Sequence, residues 1–158
     1  MITQPPQYTT ALSLTHFSDT CDIPFQPVAT SGTITIGGSF LLSDGSAFFI
    51  QDGINVGMIV WNTTTGDSAT IVAVIGEKEL SIDADIFPSG GDGYTIFSSP
   101  NPGCLIYVGQ ASDSRVKVTT QGGDVVVFYG LNSGAVLPVR VLRVWETDTS
   151  ATSLIALW

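Results

Sequence analysis

Side chains able to do chemistry are few in this chain, and their spacing suits no familiar catalytic site. His16 is the single histidine of the 158 residues and stands beside Phe17 in a Pro- and Thr-rich stretch. No Gly-x-Ser-x-Gly elbow accompanies it, since Gly37-Gly38-Ser39-Phe40 runs on into Leu41. A Ser-His-acid triad therefore has nothing to be built from. Zinc fails on ligand supply, with one His and two distant thiols, Cys21 and Cys104. Two such cysteines form no disulfide framework. Carboxylates are more plentiful: Glu77, Glu79, Asp83 and Asp85 share one parity, and Asp92 follows in a glycine-rich turn. Oxygen ligands at i and i+2 suit Ca²⁺ once a loop folds over them. The spaced Asp-x-Asp-x-Asp-Gly loop is missing, however, and the solvated face of any strand places its acids the same way. A solvated face is the preferred reading, and no acid stands out as a glycosidase proton donor. The expectation is a protein without catalytic residues, metal or cofactor.

The bases and aromatics suggest contact surfaces. Arg115 and Lys117 share an outward parity, with Arg140 and Arg143 on a neighbouring strand. They are positioned either to grip an acidic surface of an adjacent copy or to act as ordinary surface charge, which contributes little. Trp61, Trp145 and Trp158 each follow an apolar run, which favours core or interface over a sugar-binding platform. Asn62-Thr63-Thr64 matches a glycosylation acceptor, but Met1 to Thr10 has neither the basic start nor the apolar stretch of a signal peptide.

The elements that must carry these residues are strands. Thr, Val and Ile number 18, 15 and 14, whereas Glu and Lys together number five, too few to clothe amphipathic helices. Seventeen Gly and eight Pro between short apolar runs supply turns. The fold class read from this is all-β: two small antiparallel β-barrel or sandwich units preceded by an extended N-terminal arm. Residues 1–30, with Pro5, Pro6, Pro24 and Pro27, form the arm, either docked or free; Phe17, Ile23 and Phe25 favour docking. Residues 31–99 form the first β unit. Its expected strands include a half-buried one in which Ile34 and Ile36 alternate with Thr33 and Thr35, then Ala47–Gln51, Gly57–Trp61, Ala69–Ile75, Glu79–Ile86 and Tyr94–Phe97. Ser98-Ser99-Pro100-Asn101-Pro102-Gly103 is the linker. Residues 104–158 form the second unit, with strands at Cys104–Val108, Arg115–Thr119, Asp124–Tyr129, Val136–Trp145 and Ser153–Trp158.

Charge divides along the same line. Residues 1–103 hold ten acids against Lys78, and residues 104–158 hold four of each sign. A net charge of −9 argues against nucleic acid as a partner. No apolar stretch approaches the ~20 residues a membrane helix needs. Several strands nevertheless read as apolar on both faces: Ile71–Ile75, Leu105–Val108, Val125–Tyr129 and Leu154–Trp158. Such strands need cover on both sides. With charged residues at only 12%, surface left bare by the chain itself is expected to be buried by other chains. The residues expected at that interface are Phe17, Ile23, Phe25, Arg115, Lys117, Val126, Phe128, Arg140, Arg143, Trp145 and Trp158.

Leu105-Ile106-Tyr107-Val108-Gly109, Val116 through Asp124, Pro138 through Trp145 and the closing Ala151 through Trp158 together resemble a short terminal β module of tailed-bacteriophage virion proteins. The head-spike base protein of gene transfer agents carries such a module. Gly57 through Thr64, with Asp85-Ile86-Phe87 and Gly91 through Ile96, resembles another small phage module. The terminal module usually has glycine before its last strand, and this chain has Asp148-Thr149-Ser150 there. The resemblance implies a non-enzymatic virion structural protein, made in the host cytoplasm and placed on the capsid surface as a cement, decoration or head-spike base component. Implied partners are the major capsid protein, copies of itself as a homotrimer or homopentamer, and other head-spike or fibre proteins. The alternative is a tail-associated carbohydrate-binding adhesin.

Overall fold

The computed structural model describes residues 8–158, with backbone only at residues 26–29. Among the described residues every regular element is a strand. These are β1 (Ala11–Ser13), β2 (Phe25–Thr33), β3 (Ile36–Gly38), β4 (Leu41–Ser43), β5 (Ile59–Asn62), β6 (Ser68–Gly76), β7 (Glu79–Ile82), β8 (Gly93–Ser99), β9 (Leu105–Gln110), β10 (Ser114–Thr120), β11 (Val125–Leu131), β12 (Val141–Val144) and β13 (Thr152–Leu157). All their pairings are antiparallel. The chain is all-β, and its sheets are open rather than closed barrels.

Two compact units form: a central unit, Thr20–Asn101, and a terminal unit in which the N-terminal segment through Asp19 joins Pro102–Trp158. The stretch expected as one arm is therefore shared between them. Ala11–Ser13 pairs with Leu157, Ala156 and Ile155 of β13, while Phe25–Thr33 pairs with β8. Pro5 and Pro6 lie outside the described residues.

In the central unit the sheet order is β2-β8-β5-β6-β7-β4-β3. β6 turns it: the first residues pair with β5 and the later ones with β7, with register shifts at Ile71/Ala73 and Val74/Gly76. Such bulges bend a sheet and let it wrap a core. That core contains Ile34, Leu42, Phe49, Val60, Ile71, Leu80, Ile82, Phe87, Tyr94 and Ile96. Three sequence expectations need correction here. Ala47–Gln51 is a run of turns, because the Glu77 carboxylate accepts the Ile50 and Gln51 N–H groups and Asp52 N–H donates to Phe48 O. Glu79–Ile86 leaves the sheet after Ile82. There Asp83 closes the strand by exchanging bonds with Thr70, although Ile86 still reaches the core. Ile34 and Ile36 do not share a buried face: Ile34 is 2% exposed and Ile36 63%.

The terminal unit holds two three-stranded sheets, β1-β13-β9 and β11-β10-β12. Its buried positions come from both: Ile106, Val108, Leu154 and Ala156 from the first, and Val116, Val118, Val141 and Val144 from the second. Val136–Trp145 is not one strand. Pro138, which lacks an N–H, breaks it. Residues before the proline lie along β9, with Leu137 N–H on Ile106 O and Val108 N–H on Ala135 O, while Val141–Val144 pairs with β10. In β13, Ser153 adopts φ 53° between Thr152 and Leu154, which pair with Gln110 and Val108 on either side of Gly109. A Cβ at Gly109 would collide with the Ser153 carbonyl oxygen, so glycine is required there.

The N-terminal segment is fastened by Asp19. Its carboxylate accepts Thr147 N–H at 2.9 Å and the Thr147 hydroxyl, and its carbonyl accepts Arg143 Nη1 at 3.1 Å. The Thr147 bonds hold this exposed carboxyl below its ordinary value of 3.8. A depressed value means that the tether's contribution is complete above pH 3.8 and is lost as pH falls through the lowered value. Asp19→Asn is accordingly expected to melt below wild type at neutral pH, with the difference in Tm vanishing on acidification below pH 3.8. In the central unit, buried Tyr94 donates its hydroxyl to buried Asp44 Oδ2 at 2.8 Å. Burial, then the Asp44 carboxylate, push the phenol above its ordinary 10.0. Tyr94→Phe is expected to cost about 1–3 kcal/mol in urea unfolding. That gap should hold at neutral pH and narrow above pH 10.0, where ionised tyrosine favours the unfolded chain.

Candidate functional site

The terminal unit gathers most of the residues expected at an interface. On β10, Val116 and Val118 are fully buried while Arg115 and Lys117 face the other way. Lys117 Nζ lies 4.5 Å from the Trp145 ring centre and the Arg143 guanidinium 5.8 Å from it. Trp145 Nε1 donates to Thr119 Oγ1 at 2.9 Å, which fixes the indole plane. Arg115 and Lys117 both approach Asp148, at 3.7 and 3.6 Å. Arg140 stands apart and donates to Gly103 O.

The loop Asp148-Thr149-Ser150 before the last strand is held by its own hydrogen bonds to β10. Asp148 adopts φ 67°, a conformation aspartate tolerates better than most residues. Thr149 Oγ1 and Ser150 Oγ then accept the Lys117 and Arg115 N–H groups, and Ser150 N–H donates to Arg115 O. The loop thus satisfies the stretch of β10 that β12 is too short to cover.

β11 lies on the other side of β10 and forms the edge of its sheet. The Gly122-Gly123-Asp124 turn joins the two strands as a hairpin, with Gly123 at φ 92° and Thr120 bonded to Asp124. Register puts Phe128 opposite Val116 and Val126 opposite Val118. Val126, on the face that buries its neighbours, is still 38% exposed; on the opposite face Val125 is 52% and Tyr129 73% exposed. No residue of Val125–Leu131 is charged or a proline. The other long edge, β2, carries Pro27 and two register shifts, devices that blunt an edge. β11 has no proline and is shifted in register only past Phe128.

The remaining expected interface residues are dispersed. Phe17 and Trp158 are half-buried in the terminal unit, whereas Ile23 is buried and Phe25 half-buried in the central unit. Trp61 is 8% exposed, stacks obliquely on Phe97 at 6.2 Å, and buries its Nε1 without an acceptor among the described residues. Neither cysteine is in a disulfide among the described residues: Cys21 Sγ exchanges hydrogen bonds with the Ser68 backbone, and Cys104 Sγ donates to Val141 O. Strands β9 and β13, expected to be bare on one face, are largely covered within the terminal unit, so the two-faced argument narrows to β11 and to Val72 and Ile75 of β6.

A feature outside these expectations is a cleft of about 430 Å³ in the central unit, walled by Ser31, Thr33, Thr35, Phe48, Asp44 and Asp52. Asp44 forms part of its wall, 5% exposed, with Oδ1 accepting Ser46 N–H and Oδ2 the Tyr94 hydroxyl. Gly32 lies against this pair so closely that a Cβ would strike both side chains. The acids on the expected solvated face do not join the cleft. Glu77 and Asp83 cap backbone amides, and Asp92 accepts the Asn62 amide. Among the described residues no three His, Cys, Asp or Glu side chains cluster as metal ligands.

Comparison with protein-family models, with curated proteins and with solved structures returned no match.

Proposed function

We propose that this chain is a non-enzymatic structural component of a tailed-phage virion. It binds the capsid exterior as a cement, decoration or head-spike base protein and associates with copies of itself. The observation carrying the proposal is β11, a seven-residue apolar edge strand with neither charge nor proline and with both faces partly bare. A lone molecule with such an edge offers unpaired N–H and C=O groups beside apolar side chains, a template for another strand. An assembly component uses that edge, and a protein whose work is done alone has reason to blunt it.

Charge supports the same unit as the meeting point. The central unit holds nine acids and Lys78, so two central units repel each other. The terminal unit holds five acids and four bases and approaches a copy without that penalty. The resemblance of the terminal strands to a phage virion module supplies the particle. A sugar-binding tail adhesin draws no support from Trp61, whose ring is buried against Phe97.

The test is co-sedimentation of the full chain with assembled phage heads, together with light scattering of the chain alone. Wild type is expected to bind heads and to self-associate. Val126→Lys and Tyr129→Lys, on opposite faces of β11, should leave the melting transition intact and weaken both associations about tenfold or more. A wild-type chain that stays monomeric and ignores heads would overturn the proposal.

A further inference from the structure

We infer that the central-unit cleft is a receptor for a guanidinium group, supplied by the terminal unit of a second copy of this chain. The inference deepens the assembly reading and rests on it for the source of the cation.

The cleft's own chemistry points to a cation. Asp44 is more than nine-tenths buried, and its two described hydrogen bonds leave further lone pairs available. Asp52 lines the same cleft, and among the described residues no lysine or arginine pairs with either carboxylate. The unit's single base is engaged elsewhere: Lys78 Nζ donates to Ala47 O and lies 3.7 Å from the Phe48 ring centre. A carboxylate taken from water without a counter-charge is costly, and a cation entering the cleft relieves that cost.

Size and lining select the kind of cation. A bare Ca²⁺ needs six to eight oxygen ligands drawn close around it, whereas about 430 Å³ is far larger than one ion and its described wall has only two carboxylates. A guanidinium on its alkyl stem fits within the space. Its fork of N–H groups suits the carboxylates, Ser31, Thr33 and Thr35 add hydroxyl acceptors, and exposed Phe48 offers apolar surface to the stem. The Tyr94 hydroxyl and Gly32 hold Asp44 in place, so the site is preorganised.

The rest of the chain supplies such a group. Every base other than Lys78 belongs to the terminal unit. Arg140 is bonded to Gly103 O, Arg143 to Asp19 O, and Lys117 sits between Asp148 and Trp145. Arg115 has half its side chain exposed and meets Asp148 only at 3.7 Å, a separation typical of weak surface pairs. It is the arginine best placed to be presented.

Titration of the full chain with agmatine, a free guanidinium, tests the chemistry at fixed ionic strength. One saturable site is expected, weakened about tenfold by Asp44→Asn and about threefold by Asp52→Asn. Asp52 is exposed, so its variant stays informative if Asp44→Asn unfolds. An absence of saturation, equal affinity in wild type and Asp52→Asn, or a cleft that takes calcium chloride and ignores agmatine would each overturn the inference. Self-association by light scattering tests the source. Excess agmatine and Arg115→Ala should each lower it, with no further loss when combined. A chain that associates yet ignores both overturns this inference and leaves the assembly reading standing. A chain that binds agmatine but neither associates nor attaches to heads overturns the assembly reading and keeps the cation cleft.

Discussion

A β-strand apolar on both faces is finished only when both are covered and both edges have hydrogen-bond partners, and that requirement organises this molecule. Where the chain can meet it internally, it does so by unusual means. The outer edge of β9 is covered by residues 134–137, diverted there by Pro138. The exposed stretch of β10 is completed by the hydroxyls of Thr149 and Ser150. The nine-residue edge β2 is interrupted by register shifts. β11 is shifted in register only past Phe128, and its valines remain open on both faces. With roughly 25 cal/mol per Å² available from apolar burial, less the cost of ordering, a neighbour that pairs with β11 gains both hydrophobic and main-chain energy.

Charge gives that incompleteness a direction. Nearly all the net negative charge lies in the central unit, where Glu77 caps a turn, Asp83 ends a strand and Asp92 holds the Asn62 side chain. The terminal unit concentrates the bases around Trp145 and Asp148, where cation–π contacts and ion pairs hold three of them on one side of β10. In the proposed assembly the near-neutral terminal unit approaches a copy without repulsion, and the acidic central unit receives a base.

Much of the architecture is legible in the residues because its causes are local. Val116 and Val118 alternate with Arg115 and Lys117, and the Gly122-Gly123-Asp124 turn pins the hairpin that follows. The errors share a different cause: the deciding partner is distant in sequence. Ala47–Gln51 is apolar enough for a strand, but Glu77 captures its amides from 26 and 27 residues away. Ala11–Ser13 reads only as part of an arm, docked or free, until its register with β13 at the opposite end of the chain is known. The cleft is the plainest case. Asp44-Gly45 reads as a turn and Tyr94 as a strand residue, and nothing in either neighbourhood announces that 50 residues of separation end in a 2.8 Å hydrogen bond. Gly32 was the available signal: a glycine inside a strand often marks a close approach.

The account depends on β11 being completed by a neighbour, and hydrogen exchange along Val125–Leu131 measures that directly. In the dilute chain, the alternate amides of β11 that point away from β10 should exchange rapidly while the buried Val116 and Val118 of β10 stay slow. In assembled particles those same amides should slow about a hundredfold or more, with β10 little changed. Amides of β11 already protected in the lone chain, or equally fast in the particle, would contradict it.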